Sequence, residues 1–346
     1  MSANDRQIKQ NSTAPPMPEE LLTRAMELFS VPSTRDNEAS MMLYIYNQIS
    51  KMDGVSFEID NWGNMKIVKG VGPYPCFCAH LDTVHIYRNG FNVCYDGECL
   101  FAEDEKGRRV GVGGDDKCGI FVCLYLLQRM ENIKIVFFSR EETGGTGSNN
   151  IDLDFFSDCK FLGGIDRWNG HDFVDHYSGA YTTSKKFEDT TKEILHRYNL
   201  APAYGMFTDS FNVMERGVGI SCFNISCGYY QHHTNDEYVD TLELYNSCLV
   251  CKELAGLPDV YTYKVNIVAT EGLYYKNGSK WNTYGKTNTN IKTKVKTYAG
   301  TNTKDRYCIE CGMILNELED ERCIFCEREY KEARYQAGFL DPEEFE

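Results

Sequence analysis

Five short segments of the sequence combine acidic residues or histidines with the end of a predicted strand or the start of a predicted helix. They are FCAHLDTV, VGGDDKCGI, FFSREETGGTGS, FLGGIDRW and HHTNDEYVD. Their candidate side chains are His80, Asp82, Asp115, Glu141, Glu142, Asp166 and His233. Imidazole nitrogens and carboxylate oxygens are ligands that zinc accepts. Because ligands in open α/β sheets bind beyond the carboxyl ends of the strands, the five segments together predict a metal site.

Taken alone, each segment has a simpler explanation. A His-x-Asp sequence is most often a surface pair, and a Glu-Glu dipeptide is most often solvated charge. Asp115 is most simply explained as the N-cap of the following helix, and His233 alone could be a hydrogen-bonded polar residue in a loop. The metal site is favoured because all five segments fall beside predicted element ends, where so much acidic charge would need a cation to neutralise it.

The hydrophobic pattern predicts the elements that must position these side chains. Two helices are expected first, one from about residue 18 and one over residues 37–52, followed by a hairpin made of VSFEID and MKIVKG. Strands and helices then alternate in the order PCFCAHLD, KCGIFVCLYLLQRM, IKIVFFS, FLGGID, TTKEILHRYNL, GVGISCFNIS and TLELYNSCLVCKEL. This alternation predicts the α/β class, as a three-layer αβα sandwich around a mixed, largely parallel sheet.

Over residues 18–257 the five segments resemble the co-catalytic di-zinc exopeptidase superfamily, which includes aminopeptidases, carboxypeptidases and peptidase-T-like enzymes. The family pattern is His-x-Asp, an Asp before Lys-x-Gly, Glu-Glu with glycines, an Asp, and a His with a Glu four residues on. The matching residues are His80 with Asp82, Asp115, Glu141 with Glu142, Asp166, and His233 with Glu237. The last spacing selects His233 over His232. The resemblance also implies a phosphorylase/hydrolase-like fold.

The resemblance implies a role for each residue. Asp115 would bridge two zinc ions, and each ion would be completed by ligands from the set His80, Glu142, Asp166 and His233. Manganese or cobalt would also suit these ligand types. Asp82 would accept a hydrogen bond from the second ring nitrogen of His80. Glu141 would be the general base that takes a proton from a metal-bridging water.

One departure concerns the lid domain that carboxypeptidase-type members insert between the fourth and fifth ligand positions. Only residues 167–232 lie between Asp166 and His233, too few for a lid and the expected core elements. The chain therefore resembles the lidless aminopeptidases, which often assemble, so a homo-oligomer is left open. In FTDSFNVMERGVGISCFNI, Asp209 is explained equally well as a helix N-cap or as a substrate contact.

A second candidate site is CIECGMILNELEDERCIFC, near the C-terminus. Its four cysteines are Cys308, Cys311, Cys323 and Cys326. Two C-x2-C pairs separated by eleven residues predict a zinc-ribbon-like module whose four thiolates hold one structural zinc ion. Disulfides are disfavoured because a reducing compartment is expected, and a redox centre because one pair would suffice for it. The acidic surroundings of the module disfavour nucleic-acid contact, although the basic linker before it leaves that open.

Composition and charge set the domain organisation. The chain has 346 residues and a net charge of −15, which argues against a primary nucleic-acid binder. No apolar run is long enough to span a membrane, and the polar start is not a secretory signal, so a cytoplasmic protein is expected. We predict a disordered leader (1–17), a catalytic domain without a lid (18–257), a Thr/Asn/Lys-rich linker (258–305), the zinc-ribbon-like module (306–330) and an acidic tail (331–346).

The resulting functional hypothesis is a zinc aminopeptidase that acts on short peptides. A second hypothesis is another amidase on the same di-metal centre, such as an N-acyl amino-acid deacylase or a dipeptidase, since one fold can support several reactions. A third is a non-catalytic metal-binding scaffold. Glu141 argues against the scaffold, because a protein that only binds metal has no need of a carboxylate beside the ligand Glu142.

Overall fold

The computed structural model describes residues 14–257, except residues 35–36, 88–89 and 179. The linker, the four-cysteine module and the acidic tail, with all four cysteines of the module, lie outside the described residues. Predictions for those segments therefore stay predictions. The same holds for the leader up to residue 13.

The described residues contain seven α-helices and fourteen strands. The helices are α1 (Glu19–Phe29), α2 (Ala39–Ile49), α3 (Gly114–Arg129), α4 (Thr146–Asn150), α5 (Lys185–Arg197), α6 (Asp209–Glu215) and α7 (Thr241–Ala255), and a 3-10 helix spans Leu153–Phe156. The strands are β1 (Val55–Ile59), β2 (Met65–Lys69), β3 (Tyr74–His80), β4 (Asn92–Tyr95), β5 (Cys99–Glu103), β6 (Arg109–Val110), β7 (Ile133–Phe138), β8 (Cys159–Arg167), β9 (Asp172–Tyr177), β10 (Ala180–Tyr181), β11 (Ala201–Gly205), β12 (Ser221–Ser226), β13 (Tyr229–Tyr230) and β14 (Tyr238–Asp240).

The central sheet has nine strands in the order β1-β2-β7-β3-β8-β12-β9-β10, and β11 pairs with β9. Its middle strands β7, β3, β8 and β12 run parallel, whereas β1, β2, β9 and β10 each join through antiparallel pairs. The sheet is therefore mixed with a parallel centre, as the sequence predicts. All six residues of β7 and all seven residues of β3 are buried, which is typical of parallel strands covered on both faces.

Two hydrophobic cores flank this sheet, one on each face. Alternate residues of a strand point to opposite faces, so Phe77 of β3 joins the first core while Cys76 and Cys78 join the second. The first core is covered by α1, α2, α3, α5 and α7, and the second by α6 and the 3-10 helix. The three-layer αβα sandwich predicted from the sequence is confirmed.

A group of five phenylalanine rings ties the parallel strands to α5. The rings belong to Phe77, Phe161, Phe173, Phe187 and Phe223, with neighbouring centroids 4.8–6.4 Å apart. Such pairs are worth about 0.5–1.5 kcal/mol each beyond the burial of their area. They help to hold β3, β8, β9 and β12 against α5.

Several elements differ from the sequence-based expectation. The strands β9, β10 and β11 were not predicted, because β9 is interrupted by charged residues and β11 is an exposed strand that contains Pro202. The strands β4 and β5 pair in a second, five-stranded sheet with β6, β13 and β14. Those three strands have only two or three residues, too few for a periodic signal. Among the described residues, no helix is both long enough and apolar enough to cross a lipid bilayer.

Candidate metal centre

Three of the predicted segments meet at the carboxyl ends of neighbouring parallel strands. In the order β7-β3-β8, His80 ends β3, Glu141 and Glu142 follow the end of β7, and Asp166 lies next to the end of β8. The other two segments approach from outside the sheet. Asp115 lies at the start of α3, and His233 lies in the loop between β13 and β14.

One group of donors joins His80, Asp115 and Asp166. Their candidate ligand atoms lie within 4.8 Å of one another. His80 Nε2 is 2.9 Å from Asp115 Oδ1 and 3.7 Å from Asp166 Oδ1. The Nδ1 atom of the same ring donates to the main-chain oxygen of Asp82 at 2.9 Å, which leaves Nε2 to face the carboxylates.

A second group joins Asp115, Glu142 and His233, again with ligand atoms within 4.8 Å of one another. His233 Nε2 is 3.1 Å from Glu142 Oε1 and 3.3 Å from Asp115 Oδ2. The ring of the neighbouring His232 instead makes edge contact with Tyr229. Asp115 is thus common to both groups, with one oxygen directed to each.

The backbone at the start of α3 explains how Asp115 reaches both groups. Asp115 and Asp116 have non-helical dihedral angles, and the peptide bond between them is cis. The regular part of α3 begins after this kink, and Asp116 caps it, because its Oδ1 accepts from the N–H of Gly119 at 2.9 Å. Its Oδ2 accepts from the N–H of His80 at 3.1 Å. The N-cap explanation of Asp115 is therefore wrong, because its neighbour caps the helix.

Asp82 is fully buried and holds the loop that carries the two glutamates. Its Oδ1 accepts from the N–H of Glu141 at 2.9 Å, and its Oδ2 accepts from the N–H of Glu142 at 3.2 Å. Asp82 Oδ1 also lies 3.4 Å from His80 Nδ1. The hydrogen bond of that nitrogen goes to the Asp82 carbonyl rather than to its carboxylate, so the carboxylate mainly positions Glu141 and Glu142.

The turn before these glutamates has an unusual backbone. Arg140 has a φ of +55°, a region that non-glycine residues rarely occupy. Its N–H donates to Glu38 Oε1 at 2.7 Å, and burial raises the pKa of Glu38 to about 7. His233 also has a positive φ, of +63°. Such conformations persist only where the surrounding structure holds them in place, and they are concentrated at functional sites.

Glu141 lies beside the first group without being a member of it. One of its oxygens is within 4.8 Å of candidate ligand atoms of His80 and Glu142. Burial raises its pKa well above the usual range, and the Asp166 charge adds to this against the opposing effect of His80. A carboxylate with a raised pKa is a stronger base, which suits a group that accepts a proton.

Two further buried carboxylates, whose roles no signal in the local sequence indicates, hold the backbone around the site. They are Asp116, described above, and Glu237, whose oxygens accept from the main-chain N–H groups of Gly113 and Asp115. Local sequence offers no signal for such contacts, since Glu237 is 124 residues from Gly113. The only available hint was the spacing of Glu237 from His233.

Asp209 lies at the start of α6, where Thr208 occupies the cap position. The N-cap explanation of Asp209 is therefore wrong. The residue is 3% exposed, and its Oδ1 has no hydrogen-bond partner among the described residues. Burial raises its pKa to about 7. Thr208 connects this segment to the site, since its hydroxyl donates to Asp166 Oδ2 at 3.2 Å.

The donor set fits divalent cations. Burial raises the pKa values of Glu142 and Asp166, and the Asp115 charge raises both further. Bringing these carboxylates together without a cation is unfavourable, because like charges in a buried site repel each other strongly. Imidazole nitrogen and carboxylate oxygen are the ligand types of zinc, manganese and cobalt sites. Each group offers three such ligands.

Comparison with known proteins identifies the fold. No model of a known protein family matches the sequence, and no curated protein sequence matches it. Solved structures do match. Aminopeptidase PepT from Bacillus cereus has a TM-score of 0.60 over 69% of this chain and 98% of its own, at 13% identity. A tripeptidase from Staphylococcus aureus has a TM-score of 0.55 over 70% and 99%, at 14% identity.

A third similar structure is the TET1 peptidase of Pyrococcus horikoshii. It has a TM-score of 0.50 over 68% of this chain and 99% of its own, at 14% identity. These similarities show that the chain has the fold of the peptidase-like hydrolases. At such low identity the chemistry has to be argued from the site itself.

Proposed function

We propose that the protein is a zinc-dependent aminopeptidase that hydrolyses short peptides. One ion would be held by His80, Asp115 and Asp166, and the other by Asp115, Glu142 and His233. The observation that supports the proposal most directly is that the two carboxylate oxygens of Asp115 face different histidines. Its Oδ1 is directed to His80 and its Oδ2 to His233. The fold supports it, because the similar structures include an aminopeptidase and a tripeptidase.

The bound zinc ions would supply a Lewis acid for the scissile carbonyl and a source of hydroxide at neutral pH. Glu141 would take a proton from the attacking water as its oxygen bonds to the carbonyl carbon. The C–N bond then breaks, and Glu141 returns the proton to the leaving amine. Asp82 keeps the base in place through its bond to the N–H of Glu141.

A panel of substrates tests the proposal. Amino-acid amides, dipeptides, tripeptides and N-acyl amino acids would be incubated with the metal-free full chain, with zinc, manganese or cobalt added separately. We expect hydrolysis of amides and short peptides that have a free amino terminus, loss of activity with a chelator and recovery on adding metal. Metal-independent hydrolysis, or none with any substrate, would contradict the proposal.

A different amidase is the second candidate, because the same two groups and Glu141 would also hydrolyse an N-acyl amino acid or act as a dipeptidase. Preferential cleavage of acyl amino acids in the panel would favour a deacylase. Binding of metal without any hydrolysis would favour the scaffold.

We further propose that the protein forms a homo-oligomer. The TET1 peptidase of Pyrococcus horikoshii assembles into a tetrahedron or a large octahedral shell. Light scattering coupled to size-exclusion chromatography would measure the mass of the full chain in solution. A mass of one chain at all concentrations would contradict this proposal.

A further inference from the structure

Glu237 is a buried carboxylate that binds the backbone on both sides of Gly114. Its Oε2 accepts from the N–H of Gly113 at 2.6 Å, and its Oε1 accepts from the N–H of Asp115 at 3.2 Å. The residue is 0% exposed. One side chain therefore sets the position of the segment from which the shared carboxylate of Asp115 projects.

That segment depends on contacts of this kind because its backbone departs from helical geometry at the start of α3. Gly113 has a left-handed φ of +72°, and Asp115 has non-helical dihedral angles. A Cβ atom on Gly114 would approach Tyr229 Cβ to 2.7 Å, so the backbone passes close to the β13–β14 region. The direction of the Asp115 side chain therefore follows from how the backbone N–H groups at 113 and 115 are held.

Glu237 is itself fixed by two further residues. His85 Nε2 lies 2.8 Å from Glu237 Oε2, and Arg109 donates to the main-chain oxygen of Glu237 at 3.0 Å. Burial raises the pKa of Glu237, but the charge and hydrogen bond of His85 outweigh this and lower it overall. The ring of His85 packs against Gly111, where any added Cβ would overlap it. The contacts with His85 and Arg109 fix Glu237 at both its carboxylate and its backbone.

We propose that Glu237, held by His85, is the positioning residue for Asp115 and so controls the binding of both metal ions. This inference rests on the proposed function, since it assumes that Asp115 is shared by two ions. It differs from the role of Asp82, whose carboxylate mainly holds the Glu141–Glu142 loop and makes no hydrogen bond to the backbone at Asp115. A change at Glu237 should therefore weaken both ions together.

The substitution Glu237→Gln isolates this role. Three groups face the Glu237 carboxylate: the N–H of Gly113, the N–H of Asp115 and His85 Nε2. An amide of the same size has one oxygen and one NH2 group, so in either orientation its NH2 meets at least one backbone N–H. The matched control is Glu253→Gln, because Glu253 also accepts from Tyr198 and pairs with Arg197 but lies away from the site.

The experiment is a calorimetric titration of the metal-free full chain with Zn²⁺, and with Co²⁺ so that the absorption spectrum reports the ligand geometry. For Glu237→Gln we expect both ions to bind about 10- to 100-fold more weakly, the usual effect of losing a partner that orients ligands. We also expect an altered Co²⁺ spectrum. The control and the wild type should behave alike.

Two outcomes separate this inference from the proposed function. If Glu237→Gln binds both ions like the wild type while Asp115→Asn does not, the positioning role is overturned and the metal centre stands. If the wild type binds no pair of ions, the proposed function itself fails. Should Glu237→Gln not fold, His85→Leu decides, because it removes one partner of Glu237 and leaves both backbone bonds. Unchanged affinity in that variant overturns the inference, and a loss of about 10-fold supports it.

Discussion

At the scale of single residues, neighbouring carboxylates have different roles because their backbone directs them differently. Asp115 faces two imidazole rings, whereas Asp116 faces the N–H groups of Gly119 and His80. The sequence does not reveal this difference in role, because the two side chains are chemically identical. The consequence is that the two aspartates should respond differently to the same substitution.

The first prediction concerns Asp115→Asn. An amide has neither the charge nor two equivalent oxygens, so both groups of ligands lose a member. Metal affinity and turnover should fall by more than about 100-fold, beyond the usual effect of changes outside the ligand shell. The control is Asp152→Asn at the cap of the 3-10 helix, which should change neither, because Asn and Asp cap equally well. Elemental analysis and steady-state kinetics measure the outcome, and retention of both ions by Asp115→Asn would refute the bridging role.

The second prediction separates Glu141 from Glu142. Glu141→Gln keeps the side-chain volume but cannot accept a proton, so turnover should fall about 10²- to 10⁴-fold while metal content stays near that of the wild type. Glu142→Gln should lose metal as well as activity, because Glu142 faces His233 in the second group. The reverse pattern of metal loss would exchange the two roles. No change in either variant would exclude the proposed mechanism.

At the scale of elements, the site depends on how closely α3 approaches β8. Gly119 allows this approach, since a Cβ atom there would overlap the carbonyl oxygen of Ile165 and the carboxylate of Asp116. Asp166 directly follows Ile165. The distance between the helix and the strand therefore also sets the distance between Asp115 and Asp166.

The third prediction follows for Gly119→Ala. The added methyl group should lower the free energy of unfolding by about 1–3 kcal/mol, the usual cost of overpacking. It should also weaken metal binding, because α3 has to move away from β8. Gly256→Ala at the end of α7 is the control, since a Cβ atom there meets its nearest neighbour at 3.4 Å. Chemical denaturation with and without zinc measures both effects. Equal stability of the two variants would show that the close approach is not needed.

At the scale of the whole molecule, two separate zinc requirements are expected. The described residues contain the candidate metal centre, for which we propose two ions. The four cysteines from Cys308 to Cys326 are predicted to hold a third ion, and they lie outside the described residues. A four-thiolate site has no open position, so the third ion should be structural.

The fourth prediction is a metal count of three per chain that falls to two when residues 306–346 are deleted. A segment this short cannot bury enough apolar area to fold alone, so metal binding should supply its folding free energy. The hydrolytic activity of the deleted protein should stay close to that of the full chain. Elemental analysis of both proteins decides, and an unchanged count would remove the zinc-ribbon hypothesis.

The sequence by itself determined the order of the main elements and the residue types of the site. Hydrophobic periodicity is a local property, so the central strands β3, β7 and β8 and the helices α1, α3 and α7 are readable without knowing what they contact. The site segments are readable for a similar reason, because side chains at the carboxyl ends of adjacent parallel strands must lie near one another. The short strands of the second sheet and the edge strand β11 were missed where this local signal is weak.

Only the tertiary structure decided which of these residues act together. The pairing of His233 with Glu142 spans 91 residues, and that of Glu237 with Gly113 spans 124. Such contacts depend on how the loop between β13 and β14 packs onto the start of α3, which no local pattern records. Asp115 and Asp116 differ because the backbone at the start of α3 is not helical. Asp82 faces the loop after β7 because β3 and β7 are neighbours in the sheet. Long-range packing, rather than residue type, gives each carboxylate its role.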